Sequence, residues 1–407
     1  MSTRLAIVVS HPIQYQAPWF RALARTVDLT VFFCHRQDRR GQADAGFGVE
    51  FEWDVPVTDG FRHIWLTNVS RNPGVSSFGG CDTPGIYSTL ADGDFEACVV
   101  SGWYLKSYLQ AIRACRASKI AVYLRGDSHL GSGRRGLIAA AKYLPYRWLL
   151  RNVAGHLVVG EANRRYLRHY GVPDERLHLV PHFVDNDFFH ARADAARMSG
   201  AAAAIRMKAG ASAETVLVAC VGKLTAGKRV SDLIEALVRV RATGRDVRGL
   251  IVGSGPEQAR LESLAAASQV PVLFAGFQNQ SQIPEYLAAA DVLAVPSGSE
   301  TWGLTVNEAM ACGRPAIVSS AVGCAPDLLE DNVTGYVYPV GDAGALSAAL
   351  GRTTDRLAGC RDAFGGAVRE RIARYTVQAA VDGTLRAIGQ SHVARTAESE
   401  VSVVTER

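Results

Sequence analysis

The residues best placed to do chemistry are two glutamates and two lysines. Glu300 and Glu308 lie in the run from Pro296 to Gly313. An apolar strand pattern ends near Val295, and a helix pattern starts near Leu304 and stops at Gly313, a common C-terminal stop. Such a junction puts the loop at the carboxyl end of a strand, where open α/β sheets bind ligands. The free N–H groups of a starting helix suit phosphate, and Gly303 lets an anion approach the backbone closely. Two carboxylates repel phosphate, so Glu300 and Glu308 read as acceptors for the hydroxyls of a sugar or ribose. Taken as a bare pair, they also read as a solvated loop residue and a helix-surface residue.

Lys223 and Lys228 follow the strand pattern Val216–Val221 in a loop that contains Gly222 and Gly227. Five residues apart, they can converge on one anion, or they are ordinary loop cations. Ammonium groups aimed at one anion would stabilise negative charge that develops on it electrostatically. They would stand in for a divalent ion, and no compact Asp-x-Asp motif is present to hold one. Asp185-Asn186-Asp187 is the nearest approach. No metal site is therefore expected.

With its Trp302-Gly303-Leu304 centre and its Glu308-Ala309-Met310-Ala311-Cys312-Gly313 end, the segment resembles the donor-site signature of retaining GT-B glycosyltransferases of glycosyltransferase family 4. In that signature two glutamates are separated by seven residues, as Glu300 and Glu308 are. The resemblance implies that Glu308 holds the ribose and Glu300 the transferred sugar. Gly303, Leu304 and Thr305 would face the diphosphate, with Trp302 beside them. The Gly222-Lys223-Leu224 to Lys228 loop resembles the family's basic loop. Lys228 matches its lysine, but Lys223 stands where arginine is usual, a point charge in place of a bidentate fork. Val252–Glu257 resembles the segment lining the nucleotide site, and Phe277 either borders the base or packs internally.

The implied substrate is a UDP- or GDP-linked sugar, with no separate cofactor. The acceptor stays open among a carbohydrate, a lipid-linked glycan and a small molecule. The resemblance implies retention of anomeric configuration. No carboxylate nucleophile stands out, so a same-face displacement fits better than a covalent intermediate. Two other readings share the fold: a nucleotide-sugar epimerase and a non-catalytic scaffold.

The N-terminal half offers weaker signals. His11 follows the strand pattern Leu5–Val9 and reads as a cap or as a cleft residue; the family's Gly-Gly loop is missing there. Asp127 follows the strand Ile120–Leu124 and is the leading candidate near the reacting sugar, with Arg125 and His129 behind it. Lys142, Arg147 and Arg151 interleave with Tyr143, Tyr146 and Trp148. That stretch reads as a solvated helix face or as one that rests on an anionic membrane.

Short Val/Ile/Leu-rich runs alternate with helical patterns almost throughout, the mark of parallel strands buried on both faces. In the N-terminal half these runs include Leu29–Phe33, Cys98–Ser101 and Leu157–Val159. In the C-terminal half they include Leu250–Val252, Val272–Ala275, Val292–Val295, Ala316–Val318 and Gly335–Val337. The expected architecture is α/β and GT-B: two doubly wound Rossmann-like domains with an interdomain cleft. Residues 1–190 would form the acceptor domain and 191–365 the nucleotide-sugar domain. Residues 366–390 would be a helix crossing back to the first domain, and 391–407 a disordered tail. The Ala-rich stretch 185–213 reads as a partly helical linker.

At 407 residues the chain is long enough for two cores. Its 44 Lys plus Arg against 39 Asp plus Glu give +5, too small an excess to argue for nucleic acid. The eight cysteines have neither disulfide nor zinc spacing and read as reduced, buried thiols. No apolar run reaches the roughly 18 residues of a membrane span. The expected location is cytoplasmic, with room for peripheral contact at the inner membrane face.

Overall fold

The computed structural model describes residues 3–37, 48–131 and 137–389. The chain forms two compact units. Among the described residues, the first contains 3–37, 56–131, 137–182 and 377–389, and the second 48–55 and 183–376.

In the first unit, seven parallel strands run in the order β3-β2-β1-β4-β5-β6-β7. They are β1 (Arg4–Val9), β2 (Asp28–Phe33), β3 (Arg62–Trp65), β4 (Ala97–Val100), β5 (Ala121–Gly126), β6 (Gly155–Val158) and β7 (Leu177–Leu179). The central strands are the continuous apolar runs of the sequence: Leu5 through Val9 and Cys98 through Val100 are almost wholly buried. Each such Val, Leu or Ile contributes about 1.5–3 kcal/mol on leaving water. The two edge strands have no such signature. β3 is Arg-His-Ile-Trp and only half buried, and β7 is three residues long.

The second unit holds six parallel strands in the order β10-β9-β8-β11-β12-β13. They are β8 (Val216–Val221), β9 (Val247–Val252), β10 (Val272–Gly276), β11 (Val292–Val295), β12 (Ala316–Ser319) and β13 (Gly335–Tyr338). Helices such as Val230–Arg241 bury one apolar face, here Leu233, Ile234, Leu237 and Val240. The helix Ala343–Gly359 begins at Asp342, whose carboxylate accepts the N–H of Ala345 at 2.8 Å, a side-chain N-cap.

In both sheets the strand order reverses beside the first strand of the unit, between β1 and β4 and between β8 and β11. Connections leave in opposite directions there, so the loops at the carboxyl ends diverge and leave a crevice. The loops carrying His11, and those carrying Lys223, Lys228 and Glu300, leave from these switch strands.

Two parts of the chain depart from the sequence reading. Residues 185–213, read as a partly helical linker, do form helices, Asn186–Met198 and Ala201–Lys208, broken at left-handed Gly200, but Phe189 and Ala193 are fully buried, so the stretch packs as part of the second unit. Residues 48–55, expected with the first domain, group with the second unit. Residues 377–389 are helical and belong to the first unit, where the Tyr123 hydroxyl donates to the Ala387 carbonyl at 2.7 Å. The tail 391–407 lies outside the described residues. Seven cysteines are buried free thiols, while Cys360 is exposed, contrary to the expectation for it. No helix among the described residues is long and apolar enough to cross a membrane.

Candidate functional site

Loop geometry in the second unit starts from glycine. Gly222 (φ +141°) follows β8 and Gly253 (φ +136°) follows β9. The two loops continue the ladder past the strands. Gly222 N–H donates to Val252 O at 2.9 Å, Leu224 N–H to Ser254 O at 2.8 Å, and Glu257 N–H to Leu224 O at 2.9 Å. A Cβ on Gly253 would stand 1.9 Å from the Gly222 carbonyl oxygen, so only glycine fits. This close approach holds the basic loop as a shelf. It ends in a 3-10 turn over Ala226–Lys228 and left-handed Arg229 (φ +51°), which opens the helix Val230–Arg241.

The loop after β11 meets that shelf, with Gly298 N–H donating to Gly227 O at 2.8 Å. Glu300 is held on its other side by the segment after β12. Its N–H donates to Ala321 O at 3.1 Å, and its carbonyl accepts Gly323 N–H at 3.0 Å. Gly303 (φ +98°) then starts the helix Leu304–Ala311 in a conformation that penalises any Cβ, and Val322 leaves no room for one.

These restraints bring three of the four expected residues together. The Lys228 ammonium forms an ion pair with the Glu300 carboxylate. Lys223 is held below its ordinary pKa by burial and by the neighbouring Lys228 charge, with Glu300 opposing. The result is a cation–carboxylate–cation cluster on two loops of the switch point. Glu308 sits further along the adjoining helix and is 2% exposed. Leu304 and Thr305 are half-buried at the helix start.

Trp302 differs from its expected contact role, whereas Phe277 takes the packing role that was one of the two expected for it. Trp302 is buried, and its indole N–H donates to Asn307 Oδ1 at 2.8 Å, so it braces the loop from behind. Phe277 packs on Phe51, ring centroids 4.5 Å apart, and Phe51 on Trp53 at 4.9 Å. The Asn279 side chain also donates to Glu52 O at 2.6 Å. The segment carrying Phe51 had no sequence signal, because a contact across more than 200 residues leaves no periodicity.

In the first unit, polar side chains stand after β1 and at the end of β5. His11 Nδ1 lies 2.9 Å from the Ser10 hydroxyl. Arg125 is buried, its guanidinium donating to Val180 O at 2.7 Å and Pro181 O at 3.3 Å and lying 5.1 Å above the Trp19 ring. It therefore clamps the segment after β7 rather than presenting a free cation to a ligand. Burial pulls its pKa down to about 10, with Asp127 opposing. Asp127 is 4.0 Å from His182 Nε2. Burial, then the Arg125 charge, keep His182 neutral well below its usual range, although Asp127 opposes. His182 was not singled out in the sequence; its place in the Pro181-His182-Phe183 turn was the available signal. His129 is buried and accepts the Gly131 N–H at Nδ1, 3.1 Å away.

Two doubly wound parallel sheets of this kind are the GT-B fold, and the comparisons with known proteins agree. Residues 202–355 match the family "Glycosyl transferases group 1". Anabaena Alr3699/HepE in complex with UDP is similar over 98% of this chain and 100% of its own, with a TM-score of 0.68 and 16% identity. A glycosyltransferase from Rickettsia africae is similar over 96% of this chain and 98% of its own, with a TM-score of 0.72 and 13% identity. The fold is therefore GT-B, and the second unit carries the match to the glycosyl transferases group 1 family.

Among curated relatives, an alpha-D-kanosaminyltransferase of Streptomyces kanamyceticus is 29% identical over 51% of this chain and 53% of its own. A D-inositol 3-phosphate glycosyltransferase of Geodermatophilus obscurus is 33% identical over 57% of this chain and 56% of its own. The chain thus matches about half the length of these relatives.

Proposed function

We propose that the protein is a retaining, metal-independent glycosyltransferase of family 4 that moves a sugar from a UDP- or GDP-linked donor to a hydroxyl acceptor. The observation that carries this reading is the Lys228–Glu300 pair with Lys223 beside it, on the loops of the β8/β11 switch point. Lys228 and Glu300 neutralise each other across the two loops. A bound donor gives each a better partner: diphosphate for the ammonium groups, sugar hydroxyls for the carboxylate.

In the reaction the bond between the anomeric carbon and the donor phosphate oxygen breaks, and both its electrons stay with the diphosphate. Lys223, Lys228 and the N–H groups at the start of the helix Leu304–Ala311 stabilise that charge. They are oriented before the reaction, so little reorganisation accompanies it. The acceptor oxygen bonds to the same face of the sugar, and its proton passes to the departing phosphate oxygen. Glu308 serves the ribose, where the donor hydroxyls replace its present surroundings.

A thermal-shift panel of UDP, GDP and their sugars tests donor binding, since a ligand at 100 times its Kd stabilises the folded state by about 2.7 kcal/mol. No stabilisation by any nucleotide would overturn the reading. Product NMR with the stabilising donor is expected to show the donor's anomeric configuration, and activity is expected to persist in EDTA. An inverted product removes the retaining assignment.

A further inference from the structure

In the first unit, the helix Leu137–Arg151 carries an unusual surface. Leu144 and Trp148 are 72% and 61% exposed. They stand four residues apart and therefore on one side of the helix, as do Arg147 and Arg151. Trp148 forms the ridge between two hollows. One, of about 860 Å³, is lined by Phe78, Tyr104 and Tyr146 with Arg113, Arg116 and Lys142. The other, of about 590 Å³, is lined by Leu144 with Arg147, Arg151 and Arg176. Among the described residues, no acidic side chain lines either hollow.

Among the described residues, none of these six cations pairs with a carboxylate. Arg116, Arg147 and Arg176 donate to main-chain carbonyls of Asn152, Tyr170 and Arg151. Arg116 also lies 5.1 Å above the Trp148 ring, and Lys142 lies 5.9 Å above Tyr146.

We infer that this face docks on an anionic lipid bilayer, with Leu144 and Trp148 at the headgroup–acyl boundary and the cations on lipid phosphates. Six cations without counter-charges attract a negative surface. A small soluble anion would leave Leu144, Trp148, Phe78 and Tyr104 in water, whereas a bilayer interface buries them. Aromatic rings with a polar edge favour that depth. The inference does not depend on the donor reading, because it uses none of the donor residues.

The test is sedimentation of the full chain with vesicles of phosphatidylcholine alone, or of phosphatidylcholine and phosphatidylglycerol in equal parts. Binding is expected only to the anionic vesicles and is expected to weaken as salt screens the surface. The variant Lys142→Glu/Arg151→Glu is expected to bind at least about 25-fold more weakly, at about fivefold for each cation lost. Leu144→Ser/Trp148→Ser is expected to bind about tenfold more weakly. Met198→Ser/Met207→Ser changes two residues that are equally exposed but lie in the other unit, and it is expected to bind as the parent does. A parent chain that stays in solution with anionic vesicles overturns the inference. So does a charge-reversed variant that sediments equally, or a methionine variant that loses as much. Unchanged donor stabilisation in the charge-reversed variant would separate this face from the transfer site.

Discussion

Replacing Lys228 by alanine is expected to slow transfer by about 10²- to 10³-fold while hardly changing stability, and the two effects follow from different physics. The Lys228–Glu300 pair has side chains 33% and 21% exposed. Water reaches both, so the pair contributes about 0.2–1 kcal/mol to folding. For a unit of 150–250 residues that corresponds to a fall in Tm of roughly 4 °C at most. In the transition state the same ammonium faces charge that the ground state lacks. A unit charge about 4 Å away, at an effective dielectric near 20, interacts by about 4 kcal/mol. Removing one pre-aimed donor typically costs about 2.7–4 kcal/mol of barrier, or 10²- to 10³-fold in kcat. Lys223 remains in the variant, which favours the lower end. Initial rates against donor concentration, with Tm measured in parallel, separate the two effects. Lys228→Arg keeps the charge and is expected to recover part of kcat. A Lys228→Ala variant that keeps kcat within tenfold of the parent refutes the reasoning. So does one that loses activity only in step with a large fall in Tm; either outcome makes Lys228 a structural partner of Glu300.

Glu308→Gln is expected to raise the donor KM about 10- to 100-fold, the loss of a charge-assisted hydrogen bond to the ribose, with kcat changed less; steady-state kinetics with donor varied checks it. Gly253→Ala forces a Cβ onto the Gly222 carbonyl and is expected to destabilise the second unit by about 3 kcal/mol or more, read by urea unfolding. His156 is 1% exposed, its Nε2 is bonded to Leu150 O, and burial pulls its pKa from 6.5 down to about 4. Between those values the unfolded chain binds the proton and the folded chain does not, so stability falls as pH falls from 6.5 towards 4. Between pH 7 and pH 4.5 the loss is about 2–3 kcal/mol. Unfolding curves of the parent are expected to show that loss, and those of His156→Gln a smaller one.

The sequence alone carried what is local or periodic. Buried parallel strands must be apolar on both faces, so β1, β2, β4, β5, β6 and all six strands of the second unit stood out as apolar runs. The switch-point loops were legible because glycine, charge and helix start are contiguous there, which is why Lys223, Lys228 and Glu300 were found. Edge strands β3 and β7 were missed, since a half-covered strand needs no apolar run. The sequence could not say that Trp302 turns inward to Asn307, that Phe51 reaches Phe277, or that Arg125 grips two carbonyls beside His182. Those outcomes depend on pairs of residues far apart in the chain, and only the folded packing decides which side chain keeps its charge for a ligand and which gives it to the protein.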